Sequence, residues 1–128
     1  MPRLPKTWLI AGAFLWSTAS IAEPLNVADL QGSWKLIAPS STDEKALPRF
    51  TIEGQAIQGF DGCNEFSGRL DQPGSIGSTR RGCPEHALRL PLDMSDPMPR
   101  LRSGNIENGT LTLPADARFS RASFKKTP

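Results

Sequence analysis

Gly59-Phe60-Asp61-Gly62-Cys63-Asn64-Glu65-Phe66-Ser67-Gly68 is the densest stretch of the 128-residue chain. Three glycines in ten residues, with Asn among them, mark a backbone that needs positive φ or close packing. Phe60 and Phe66 supply apolar anchors on either side. Twenty residues after Cys63, Thr79-Arg80-Arg81-Gly82-Cys83 brings the second thiol. The chain has 2 cysteines and no Cys-x-x-Cys, so redox catalysis of the thioredoxin kind is not indicated.

Outward from this turn the hydrophobic period is two. Gly32-Ser33-Trp34-Lys35-Leu36-Ile37 sets Trp34 and Leu36 against Ser33 and Lys35, which suits a half-buried strand. Phe50 and Ile52 alternate with Thr51 and Glu53, Gly54 turns the chain, and Ile57 and Phe60 continue a β-hairpin. Phe66 to Leu70 is a weaker strand, Gln72-Pro73-Gly74 is a turn, and Ile76 marks a further short strand. Ile106-Glu107, Asn108-Gly109 and Thr110-Leu111-Thr112-Leu113 spell a tight primed hairpin. Arg118 to Phe124 is expected as the last strand, with a bulge or a strand end between Phe119 and Phe124, which fall out of phase. Helix is scarce. Pro24 to Leu30 accommodates one turn, with Val27 and Leu30 on one side. Pro91, Pro97 and Pro99 restrict any later helix to a short one. Ser95 or Asp96 would cap it, Pro97 would suit its first turn, Met98 and Leu101 would face inward, and Gly104 would stop it.

The N-terminus reads as a signal peptide over residues 1–22. Arg3 and Lys6 precede a short apolar core from Trp8 to Trp16, and Ser20 and Ala22 stand at the −3 and −1 positions before Glu23. The core is about half the ~20 residues that a spanning helix requires, and no cysteine near Ala22 offers a lipid acceptor. One domain over residues 23–128 is then expected in the periplasm with no stable membrane anchor. The formal charge of +2 comes from the part removed, so the basic balance is no argument for a nucleic-acid partner. Residues 23–75 carry four basic and eight acidic side chains, and residues 76–128 carry nine and five. In an oxidising compartment the even cysteine count reads first as a Cys63–Cys83 disulfide. The other reading is two buried thiols packed as small apolar groups.

The central turn and its flanks resemble the META domain family, which includes heat-shock-inducible HslJ-like envelope proteins. The resemblance rests on Leu30-x-Gly32-x-Trp34-x-Leu36, on Gly62-Cys63-Asn64-x-Phe66-x-Gly68, on Thr79 and Cys83, and on the closing Leu111-x-Leu113. It covers about residues 30–124. Arg81-Gly82 replaces the family's Met-Ala, prolines break the amphipathic helix that relatives carry after the second Cys, and the lipid-acceptor cysteine of many relatives is missing. The resemblance implies an α+β fold: a strongly curved antiparallel sheet, like an opened barrel, around one short helix.

Catalytic constellations are thin. His86 is the only histidine, too few for a metal site and without a converging base or nucleophile once Cys63 pairs with Cys83. Asp61 and Glu65, like Asp93 and Asp96, read as loop caps. Arg80-Arg81 and Arg100-x-Arg102 read as surface pairs able to attract an anionic lipid or glycan. With 1 Trp, 5 Phe and no Tyr after residue 22, no aromatic platform for nucleic acid remains once a core is built. The expected function is a non-catalytic periplasmic domain, with no cofactor, acting in envelope stress or as an accessory binding module. One alternative is an inhibitor or immunity-type module docking a protein through Pro39–Pro48 or Ser78–Pro91. Another is a carrier whose apolar ligand sits between Phe50, Phe60, Met98 and Leu101.

Overall fold

The computed structural model describes residues 23–40, 46–84 and 87–128, so the expected signal peptide and His86 lie outside the described residues. Alternation becomes strand wherever the sequence shows it. Trp34 and Leu36 are buried on β1 (Gly32–Ala38), and Phe50 and Ile52 on β2 (Arg49–Glu53). Ile57 is buried on β3 (Ala56–Phe60) and Phe66 on β4 (Glu65–Arg69). A two-residue β5 (Gly77–Ser78) follows, then α1 (Met98–Arg102), β6 (Asn105–Glu107), β7 (Thr110–Leu113) and β8 (Ala122–Thr127).

Among the described residues, eight strands form one antiparallel sheet in the order β5-β4-β3-β2-β1-β8-β7-β6. The sheet is not closed, and β5 and β6 are its two edges. Every neighbouring pair but one is consecutive in the chain. In the β6–β7 turn Asn108 and Gly109 take φ of 51° and 75°, the pair of left-handed residues that a type I′ hairpin demands. The exception to local pairing is central: β1 and β8 bring the two ends of the domain together, with Leu36 opposite Phe124.

One face of the sheet carries the core. Trp34, Phe50 and Phe124 are its largest members, and the last two rings meet edge-on at 5.2 Å. Leu30 from the N-terminal turn, Leu90 and Leu92 from the long connection, and Leu101 from α1 complete it. The buried indole is satisfied, because Trp34 Nε1 donates to the Leu30 carbonyl at 2.9 Å. Gln31 ties this turn to the first hairpin, donating to Gly54 O at 3.0 Å and accepting from Gly54 N at 2.7 Å. No helix among the described residues is long and apolar enough to cross a membrane.

Four expectations need correction. The last strand begins at Ala122 rather than Arg118 and runs to Thr127. Asp116 Oδ1 accepts from the backbone N–H groups of Arg118 and Phe119 and holds that segment in a turn. The short strand near Ile76 lies at Gly77–Ser78, while Ile76 packs over Gly68 so closely that a methyl there would meet Ile76 Cα at 2.6 Å. Neither Ser95 nor Asp96 caps α1. Its N-cap is Pro97, and Ser95 instead donates to Asp93. Phe60 is no core anchor: it faces away from the core beside Arg49, whose guanidinium lies 5.0 Å from the ring centroid.

Candidate functional site

The glycine-rich segment becomes a turn that clasps two distant parts of the chain. Asp61 Oδ1 accepts from the N–H groups of Cys63 and Asn64, at 2.9 and 2.6 Å, and Asp61 N donates to Asn64 O at 2.9 Å. This Asx turn needs a left-handed residue at Gly62, whose φ is 105°. The Leu88 carbonyl sits where a Cβ on Gly62 would stand. Asp61 O accepts from Leu90 N at 2.8 Å, which fastens the connection leading to Leu90 and Leu92.

The other side of the turn holds residues 79–83. Cys63 and Cys83 are disulfide-bonded with Cα atoms 5.6 Å apart, within the ordinary span of a bridge. Asn64 Oδ1 accepts from Arg81 N at 2.7 Å and from the Thr79 hydroxyl at 3.2 Å. Glu65 exchanges two bonds with Thr79, its N–H donating to Thr79 Oγ1 at 3.1 Å and its carbonyl accepting from Thr79 N at 2.9 Å. Three consecutive residues, Cys63, Asn64 and Glu65, therefore pin one short loop. Arg80, Arg81 and Gly82 remain exposed on it.

Every motif residue quoted from the sequence has its place in this construction or beneath it. Gly62, Cys63, Asn64, Thr79 and Cys83 form the clasp. Phe66 and Trp34 lie in the core, Gly68 admits Ile76, and Gly32 opens β1 with φ of 113°. Their polar atoms are spent on one another and on backbone, which makes the motif architectural. Among the described residues no group of three or more His, Cys, Asp or Glu is placed to hold a metal. The Asp61 carboxylate caps the turn as expected, whereas Glu65 opens β4 and engages Thr79 through its backbone rather than its carboxylate.

One further surface bears on function. The face of the sheet away from the core carries a row of uncharged polar side chains, Thr127, Ser33, Thr51, Gln58 and Ser67, in register across β8, β1, β2, β3 and β4. It lines a groove of about 910 Å³, and Ser33 and Thr51 share a hydroxyl hydrogen bond of 2.7 Å. The proposed carrier pocket does not assemble. Phe50 and Leu101 are core residues, 1% and 0% exposed, whereas Phe60 lies on the opposite face.

Arg100 was expected on the surface and is only 6% exposed. Its guanidinium donates to the carbonyls of Pro91, Pro114 and Ser120, at 2.6, 2.8 and 2.9 Å, and to Asp116 Oδ2 at 3.1 Å. The Phe119 ring centroid lies 4.9 Å from it. Only Arg102 of that pair is exposed. A Pro-flanked Arg in a five-residue helix offers no periodic signal that would have revealed this role.

The family model described as META domain matches residues 27–127, nearly all of the described chain. No curated protein and no solved structure matches. Turn, bridge, core tryptophan and closing hairpin occur together in one unit, and the chain belongs to the META domain family.

Proposed function

We propose that this META domain is a non-catalytic module of the bacterial envelope that binds another protein through the loop pinned by its central turn. The observation that carries this reading is the combination of exposure and fixation at residues 79–83. Two arginines face solvent on a backbone tied at Thr79, Arg81 and Cys83. A loop ordered before binding loses less entropy on association than a mobile one. The dispersed carrier residues weaken the small-ligand alternative. Export fits the apolar N-terminal segment and the disulfide, which persists in oxidising compartments.

Complementation tests the reading. A strain lacking the gene, placed under envelope stress, should be restored by the wild-type protein and by His86→Ala, but not by Arg80→Ala/Arg81→Ala at equal abundance and equal thermal stability. Full rescue by the double variant would exclude the loop as the functional surface. A hydrolytic or redox activity of the purified protein, lost in His86→Ala, would overturn the non-catalytic assignment. N-terminal sequencing of the envelope protein should begin at Glu23.

A further inference from the structure

We infer that the pinned loop is a reactive-site loop for a trypsin-like serine protease, with Arg80 as the residue that enters the acidic specificity pocket and Arg80–Arg81 as the bond presented for attack. The inference rests on the protein-binding reading and names its partner class.

An inhibitor differs from a substrate in whether the ends of the cleaved bond can part. A trypsin-like enzyme selects Arg by an aspartate at the base of its specificity pocket, so an exposed Arg on an extended loop is ordinarily a cleavage site. In the chemical step the protease serine Oγ bonds to the Arg80 carbonyl carbon and the Arg80–Arg81 C–N bond breaks. The serine proton passes through the catalytic histidine to the nitrogen of Arg81, which becomes a free amine. In a substrate that amine departs, water takes its place, and the ester is hydrolysed.

Departure is opposed here on both sides of the bond. The acyl side is held through Thr79, whose N–H and hydroxyl both engage the Glu65 backbone at 2.9 and 3.1 Å. The amine side is held by Asn64 Oδ1 on the Arg81 nitrogen itself, at 2.7 Å, and two residues later by the Cys63–Cys83 bridge. All these anchors belong to Cys63, Asn64 and Glu65, three adjacent residues of one turn. Breaking the bond therefore leaves the amine beside the acyl carbon, where its attack on the ester re-forms the peptide and releases the serine. The effective concentration of a held nucleophile far exceeds that of a diffusing one. Arg80, between the anchors, has its side chain exposed.

The test uses the oxidised, exported protein with trypsin, chymotrypsin and chromogenic substrates. Wild type should inhibit trypsin competitively and leave chymotrypsin active. Long incubation should yield a stable mixture of intact protein and protein nicked between Arg80 and Arg81. Arg80→Ala should raise the inhibition constant at least 100-fold, Arg80→Phe should transfer inhibition to chymotrypsin, and Arg102→Ala on the exposed side of α1 should change nothing. Asn64→Ala, confirmed folded by its unfolding midpoint, should still bind but be consumed as a substrate, so that inhibition fades with time. Four results would overturn the inference: no inhibition at micromolar protein, complete and rapid cleavage of wild type, undiminished inhibition by Arg80→Ala, or Arg80-dependent binding to anionic phosphatidylglycerol vesicles without inhibition. If trypsin is not inhibited while Arg80→Ala/Arg81→Ala still fails to complement, the loop binds a different protein. If the double variant complements as well, the protein-binding reading falls too.

Discussion

Replacing Arg100 with Met should destabilise the domain by about 3 kcal/mol, a large part of the roughly 5–15 kcal/mol that holds a small domain together. The guanidinium makes four hydrogen bonds, three of them to the main chain of segments far apart in sequence, and it rests on Phe119. A hydrogen bond contributes about 1 kcal/mol net, and one to a charged group about 1.5–3. Pro114, Asp116 and Ser120 are exposed, so their freed oxygens regain water and the lower figure applies to them. Four bonds at about 1 kcal/mol each, less roughly 1 kcal/mol for the terminal methyl that Met buries in place of the guanidinium, give the estimate. Arg100→Lys keeps the charge but not the fork, and should cost about 2 kcal/mol because one ammonium cannot reach all four acceptors. Urea unfolding at an unchanged m-value would give the free energy. Amide exchange should show lost protection at Phe119, whose N–H bonds to Asp116. A loss below about 1 kcal/mol for Arg100→Met, or unaltered protection at Phe119, would refute the view that this arginine fastens residues 114–120 to the long connection.

Cys63→Ser and Cys83→Ser should each cost roughly 3 kcal/mol, the chain-entropy value for a loop of this length, and the double variant should be no worse than either; unfolding with and without reductant checks this. Gly62→Ala should lose about 3 kcal/mol, the upper end for one strained residue, because the Leu88 carbonyl blocks the methyl. Gly54→Ala, with open space around its Cβ position, should lose only about 1 kcal/mol for its φ of 60°, and paired denaturation curves separate the two. The backbone N–H groups of Phe119 and then Arg118 hold the Asp116 carboxyl below its usual range, and the Ser95 hydroxyl does the same for Asp93. Their folded pKa values lie below the unfolded value near 3.9, so their stabilisation is present above that value and fades as pH falls through the lower one. Urea midpoints measured between pH 6 and pH 2 should drop in the acid limb, and Asp93→Ala/Asp116→Ala should flatten that limb.

The features legible in the sequence are local ones. Alternation at Trp34–Leu36, Phe50–Ile52 and Leu111–Leu113 marks strands because one face of a pleat is buried and the other wet. Asn108-Gly109 specifies its hairpin because few residues tolerate two consecutive positive φ values. The two cysteines and the glycine-rich stretch point to a bridge and to a turn with a left-handed glycine, whereas the hold of Asn64 and Glu65 on Thr79 and Arg81 is a tertiary feature. Tertiary structure decided the rest. Residues 118–121 read as the start of the last strand, yet that strand starts at Ala122, because pairing of Phe124 with both Leu36 and Leu111 sets the register and Asp116 claims the backbone just before it. Phe60 reads as core, but its register opposite Arg49 turns it to the wet face. Arg100 reads as surface, but three carbonyls and a carboxylate from segments up to 20 residues away converge on it. No window of sequence contains those partners. A side chain's burial and a strand's end depend on what the fold brings against them, and that is a non-local quantity.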